Sequence, residues 1–236
     1  MIRILCLVSF ALASFAQDNP ELERARKTLA DWPNLARYAA DNAKLPAAAP
    51  GENRVVFMGD SITDAWGRRG GKFWPDRPYI NRGISGQTTP QMLVRFRPDV
   101  INLGAKLVVI LAGTNDIAGN TGPMTLEQIQ NNLASMADLA KANGIRVVMS
   151  SVMPVCDYHR PQMERRPPAK IIALNQWIEA YCKKNNLVYL DYYSATLDDA
   201  KLLRKELTGD GLHPNAEGYA IMEPLAEKAI EAAFKK

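Results

Sequence analysis

The chain is predicted to fold as a three-layer α/β/α sandwich around a five-stranded, mostly parallel sheet, on three observations. Short apolar runs recur at residues 55–58, 79–80, 107–111, 145–149 and 187–190. They are continuous rather than alternating, as parallel strands covered on both faces require. Stretches with helical spacing separate them, and strands alternating with helices imply parallel pairing through right-handed crossovers. Motifs rich in Gly, Asn, Ser and His follow several runs, and open parallel sheets bind ligands beyond the carboxyl ends of their strands.

Taken in order, the first residues read as an export signal. Arg3 supplies positive charge, residues 4–15 an apolar stretch, and Ala13-Ser14-Phe15-Ala16 small residues for cleavage before Gln17. The stretch falls short of the ~20 residues of a membrane span. Cys6 lies inside it rather than just after a cleavage box, which argues against a lipid anchor. The organisation expected is a signal peptide at 1–16, a helical leader and linker at 17–50, and an α/β domain at 51–236, exported to a periplasmic or extracellular location without a stable membrane anchor.

In the leader, Leu22, Ala25 and Leu29, then Leu35, Tyr38 and Ala39, keep helical spacing across a break at Trp32-Pro33, and residues 46–51 form a Pro/Ala linker. Later helices are expected at 89–96, before Pro98, and at 125–142, where Thr125-Leu126-Glu127 lies near capping-box spacing and Gly144 ends the helix. Residues 168–184 and 215–234 complete the set.

At 236 residues, 47% hydrophobic and 23% charged, the chain can bury one proper core. The net charge of +4 is scattered and no aromatic–basic interleaving occurs, so nucleic acid is not an expected partner. Two distant histidines without a nearby cysteine pair make no metal site. Cys156 should follow a strand and Cys182 close the next helix, which at 1.5 Å per residue separates them beyond the ~7 Å Cα limit of a disulfide. Both are expected as free, partly buried thiols. Oligomeric state has no signature in the sequence.

The chemistry lies in four blocks. Gly59-Asp60-Ser61 ends the first run on a turn that leaves a serine hydroxyl free, although alone it serves equally as a helix cap. The second run leads to Gly83 and Gly86, either of which lets a backbone N–H approach a substrate oxygen without a Cβ in the way. The third ends in Gly113-Thr114-Asn115-Asp116, where the Asn115 amide can donate to an oxyanion while its oxygen is held by the backbone. Asp210-Gly211-Leu212-His213 brings an acid and a base together, so the carboxylate can orient Nδ1 while Nε2 faces Ser61.

These blocks resemble those of the SGNH hydrolases, also called the GDSL esterase/lipase family, from about residue 54 to the C-terminus, roughly three quarters of the chain. The resemblance implies a flavodoxin-like fold, with Ser61 as nucleophile, His213 as general base and Asp210 as its orienting acid. It also implies an oxyanion hole of the Ser61 and Gly86 amides with the Asn115 side chain, and no cofactor. Gly86 aligns better than Gly83. Ile62 stands in place of leucine and Gln87 where many relatives have aspartate.

Substrate contacts are sought at Asp60, Trp66, Arg68, Arg69, Phe73 and Trp74 after the nucleophile turn, and at Asp157, Tyr158, His159 and Arg160 after the fourth strand. A rim rich in Arg, Trp and Tyr, with no long apolar lid, favours small acyl groups on a polar alcohol, acetylated carbohydrate first. A lysophospholipase or thioesterase is the alternative within the class. A non-catalytic carbohydrate-binding module would be expected to have lost Ser61 or His213, and neither is lost. A phosphate binder would want a glycine-rich loop where Asp60 stands.

Overall fold

The computed structural model describes residues 19–68, 70, 71 and 73–236. The expected signal peptide, Cys6 and Arg69 lie outside the described residues. The chain divides into two units, one ending at Trp32 and the other Pro33–Lys236. The described part of the first is chiefly helix α1 (Pro20–Ala30), whose start is held by Asn19 Oδ1 accepting the N–H groups of Glu21 and Leu22.

The second unit carries strands β1 (Val55–Gly59), β2 (Tyr79–Gly83), β3 (Leu107–Leu111), β4 (Arg146–Ser150) and β5 (Val188–Leu190). They form one sheet in the order β2-β1-β3-β4-β5, every pairing parallel. Interleaved with them are α2 (Ala39–Lys44), α3 (Ser61–Ala65), α4 (Thr89–Phe96), α5 (Thr114–Ile117), α6 (Leu126–Ala142), α7 (Pro168–Lys184), α8 (Tyr192–Ala195) and α9 (Ala216–Phe234).

All residues of β1 and β3 are buried, as the continuous apolar runs imply. Successive side chains of a strand point to opposite faces, so each run feeds two apolar layers. Val56 and Met58 join Met92 and Phe96 of α4, Leu133 and Met136 of α6, and Leu174 and Ile178 of α7. Val55 and Phe57 join Tyr219, Met222 and Ala226 of α9. The second layer also holds Trp66, with Phe73 and Trp74 packed against it. These aromatics crowd around Phe57, and the indole N–H groups of Trp66 and Trp74 donate to Glu223 and Glu227. Trp66 and Trp74 therefore build the core and not the substrate pocket expected from their place after the nucleophile turn. Cys182 sits in the first layer and Cys156 in the second, on opposite sides of the sheet, and both are free.

The helix starts follow local capping chemistry. Thr125 and Gln128 form the capping box of α6, so the partner is Gln128 rather than the neighbouring Glu127. Asn215 caps α9 by accepting Gly218 N–H.

Strand order reverses between β1 and β3, because β2 lies on the far side of β1. Ligands of doubly wound sheets bind at such a reversal. Register pairs Gly59 with both Gly83 and Leu111, which ends three strands at one level. Beneath that edge Arg95 of α4 is fully buried. It donates to Gly59 O at 3.0 Å, Arg82 O at 2.8 Å, Asp99 Oδ2 at 3.0 Å and Gln87 Oε1 at 2.5 Å. One guanidinium thus adds a donor to carbonyls at the ends of β1 and β2, Gly59 O also accepting Ile84 N–H at 3.0 Å, and ties the two strand ends together.

Candidate active site

Asp60 is the N-cap of α3, its Oδ1 accepting Ile62 N–H at 3.0 Å. At 1% exposure it faces inward, so it supports the turn and does not meet substrate as expected. Burial drives its carboxyl up to about 7 despite the Ile62 hydrogen bond, and the charge of Asp116 adds to the rise. The turn places Ser61 first in α3. Ser61 N–H therefore belongs to the first turn, whose donors have no intrahelical partner.

Ser61 Oγ lies 2.8 Å from His213 Nε2, and His213 Nδ1 lies 2.6 Å from Asp210 Oδ2. The two carboxylate oxygens divide the work. Asp210 Oδ1 accepts the N–H groups of Leu212 (3.0 Å) and His213 (2.8 Å), building the turn, while Oδ2 holds the ring. Partial burial alone would raise the Asp210 pKa. The His213 and Leu212 hydrogen bonds outweigh it and hold the carboxyl down to about 2. Such a chain can take the proton of a serine hydroxyl and stabilise the resulting imidazolium.

The second block separates its two glycines by role. A Cβ on Gly83 would come within 2.1 Å of Asp64 N, so this glycine permits close packing of β2 on α3. A Cβ on Gly86 would meet Asn120 Nδ2 at an unstrained 3.9 Å, but its φ of +81° is a left-handed backbone that glycine adopts freely, and its carbonyl accepts Asn120 Nδ2 at 3.0 Å. Gln87, in place of aspartate, is buried. It accepts from Arg95 and donates from Nε2 to Pro33 O at 2.7 Å, which ties the block to the segment before β1.

Asn115 lies in α5, directly after the β3 end, and is buried. Its Nδ2 donates to Gln87 O at 3.0 Å, and its Oδ1 accepts from Arg166 Nη2 at 3.3 Å. The oxygen is thus held by a side chain, not by the backbone as expected. Arg166, itself buried, also donates to Thr114 Oγ1 (3.2 Å) and Gln162 Oε1 (3.0 Å). Gln162 Nε2 donates in turn to Asp210 O at 3.1 Å. A bridge from the loop after β4 therefore links the third block to the fourth. Nothing in the residues around Arg166 announces this: it sits in an arginine-rich stretch that reads as solvated surface.

Ser61, Gly86, Asn115 and His213 line one cleft of about 470 Å³, with Arg68, Arg165 and Arg166 in its walls. Of the remaining pocket candidates among the described residues, only Arg68 reaches this cleft. Tyr158 donates from its hydroxyl to Asp198 (2.6 Å), His159 Nε2 lies 3.0 Å from Lys205 O, and Asp157 accepts the N–H groups of Gln162 and Met163. These residues shape the loop after β4. Arg160 borders a neighbouring hollow with Asp210 and His213. Among the described residues no cluster of His, Cys, Asp or Glu could hold a metal ion, and no helix is long and apolar enough to cross a membrane.

The fold and this site define a carboxylic ester hydrolase. The model of the GDSL-like Lipase/Acylhydrolase family matches residues 57–221, and the chain belongs to that family. A GDSL-like lipase of known structure from Bacteroides thetaiotaomicron is 48% identical, covering 85% of this chain and 98% of that one at a TM-score of 0.80. The chain is also similar to an arylesterase of Vibrio mimicus, 25% identical over 207 residues, 79% of this chain and 93% of the relative. Esterase TesA of Pseudomonas aeruginosa is 27% identical over 172 residues, 68% of this chain and 79% of the relative.

Proposed function

We propose that the protein is an exported serine esterase that removes short, acetyl-type acyl groups from polar alcohols, acetylated carbohydrates among them. The observation that carries the mechanism is the hydrogen-bonded chain Ser61–His213–Asp210 opening on the same cleft as Gly86 and Asn115. Ser61 Oγ attacks the ester carbonyl as His213 Nε2 accepts its proton. The oxyanion forms against Ser61 N–H, Gly86 N–H and the Asn115 amide. His213 then protonates the leaving alcohol, and next takes a proton from the water that hydrolyses the acyl-enzyme. Asp210, a carboxylate down to about pH 2, keeps the imidazole in the tautomer this requires. A polar cleft wall, in which Ala65 and Leu212 are the apolar side chains, supports the small-acyl reading. The N-terminal charge, apolar stretch and small-residue box support export.

Hydrolysis of p-nitrophenyl acetate tests the mechanism. Ser61→Ala is expected to lower kcat by about 10⁴-fold or more while the fold persists by circular dichroism. Turnover equal to wild type would overturn it.

A further inference from the structure

The cleft carries more positive charge than its own carboxylate neutralises. Arg68, Arg165 and Arg166 line it against one acid, Asp64. Asp64 is already engaged: its oxygens accept from Arg68 Nη2 (2.5 Å), Ser85 Oγ (2.6 Å) and Ser85 N–H (3.3 Å), and Arg37 lies at 3.8 Å. Arg166 is buried with the charges of Asp60 and Asp210 acting on it. Arg165 has no such partner.

Arg165 is exposed, and no carboxylate lies within ion-pair distance of it among the described residues. Its guanidinium is nevertheless held in place. Nη2 donates to Ala118 O at 3.2 Å and to Asn120 Oδ1 at 3.1 Å, while Nη1 and Nε donate to nothing among the described residues. Asn120 is the residue that also fixes the Gly86 carbonyl, so this cation is anchored to the rim of the oxyanion block. Its charge acts unfavourably on the neighbouring Arg166. An anion bound at Arg165 would relieve that repulsion and meet donors already oriented.

We propose that the cleft selects esters bearing an anionic group, a carboxylate or phosphate seated on Arg165, so that the preferred substrates are acetyl-type esters of acidic alcohols. The proposal rests on the serine-esterase reading above. A uronic acid and a glycerophosphate would both present this chemistry, and matched substrates separate them. Acetate release would be compared for an O-acetylated methyl glucuronide against the corresponding glucoside, and for 1-acetylglycerol 3-phosphate against 1-acetylglycerol. The anionic member of at least one pair is expected to show a kcat/KM about tenfold higher, the effect of one part-exposed charge-assisted hydrogen bond. A preference in the first pair identifies an acidic sugar, and in the second a phosphate-bearing alcohol.

In Arg165→Gln the anionic-to-neutral ratio is expected to fall towards one, with Arg165→Lys between. In the wild type, raising ionic strength from about 0.01 M to about 0.5 M should shrink the ratio, because the screening length falls from about 30 Å to a few ångströms. Ser61-dependent hydrolysis with a ratio near one in both pairs, or a ratio unmoved by Arg165→Gln, would overturn the anion subsite and leave the esterase reading standing. Acetate release as fast in Ser61→Ala as in wild type would overturn the esterase reading itself, and the subsite with it.

Discussion

An asparagine that serves an oxyanion must present nitrogen and not oxygen to the cleft, and a side-chain amide has little intrinsic preference between its two orientations. Arg166 supplies one. A guanidinium has donors only, so it can meet Asn115 only at Oδ1, and Nδ2 is left facing Gln87 O and the cleft. We expect Arg166→Gln, which removes the charge, to lower kcat with KM little changed, by less than the hundred- to thousand-fold typical of losing one oxyanion donor. Arg166→Lys should recover part of the loss. The decisive measurement is the double variant with Asn115→Ala. If Arg166 acts through Asn115, it will be hardly worse than Asn115→Ala alone, whereas additive losses would place the role of Arg166 elsewhere. Ser61, Gly86, Asn115, Asp210 and His213 are legible in the sequence because each sits in a short motif, the first three after strand ends and the last two in the loop before α9. Arg166 is not, since its partner lies 51 residues away and pairing across the cleft leaves no local pattern. Gln87 was equally opaque, because its meaning depends on a buried arginine in the following helix.

Helix α3 is five residues long, too short to be stable by itself, and is held by its cap and by packing. The cap is a carboxylate enclosed in the protein, and this has a consequence for stability. The folded pKa of Asp60 stands at about 7, above the unfolded value near 3.9. A raised pKa means the folded state binds the proton more tightly, so the contribution to stability is complete below about pH 4 and is lost as pH rises to about 7. Asp210 has the opposite sign. Held down to about 2, it contributes above about pH 4 and loses that contribution as pH falls towards 2, outside this window. Asp60→Asn keeps an oxygen for Ile62 N–H and removes the ionisation. Between pH 5 and 8 we expect the Tm of the wild type to decline and that of the variant to decline less. Asp116, also raised by burial, leaves some slope in both. Parallel Tm curves would show that Asp60 is not the group being titrated. A capping turn after β1 could be read from Gly59-Asp60-Ser61, but the burial of the carboxyl and the nearby charges of Asp116 and Arg166, far along the chain, arise only in the folded protein.

At the scale of the whole molecule, the order of strands and helices and their parallel pairing followed from continuous apolar runs separated by helical spacing. What escaped was the destination of the aromatics. Trp66 and Trp74 follow the nucleophile closely in sequence, yet Phe57 and Tyr219 provide an apolar layer that accepts them, and burying an indole there gains more than exposing it at a polar rim. With these rings drawn into the layer beneath the sheet, the cleft is left with arginine, asparagine and serine for walls. This governs acyl-chain preference. An apolar channel would favour longer chains by roughly fourfold in kcat/KM for each methylene buried, at ~0.8 kcal/mol apiece. A wall whose apolar side chains are Ala65 and Leu212 offers no such gain, and added methylenes remain in water or crowd charged groups. Across p-nitrophenyl esters from acetate to palmitate, we therefore expect kcat/KM to peak at the short end and fall steadily with length. A maximum at long chains would require an apolar surface that this arrangement of rings does not leave, and would overturn the short-acyl assignment.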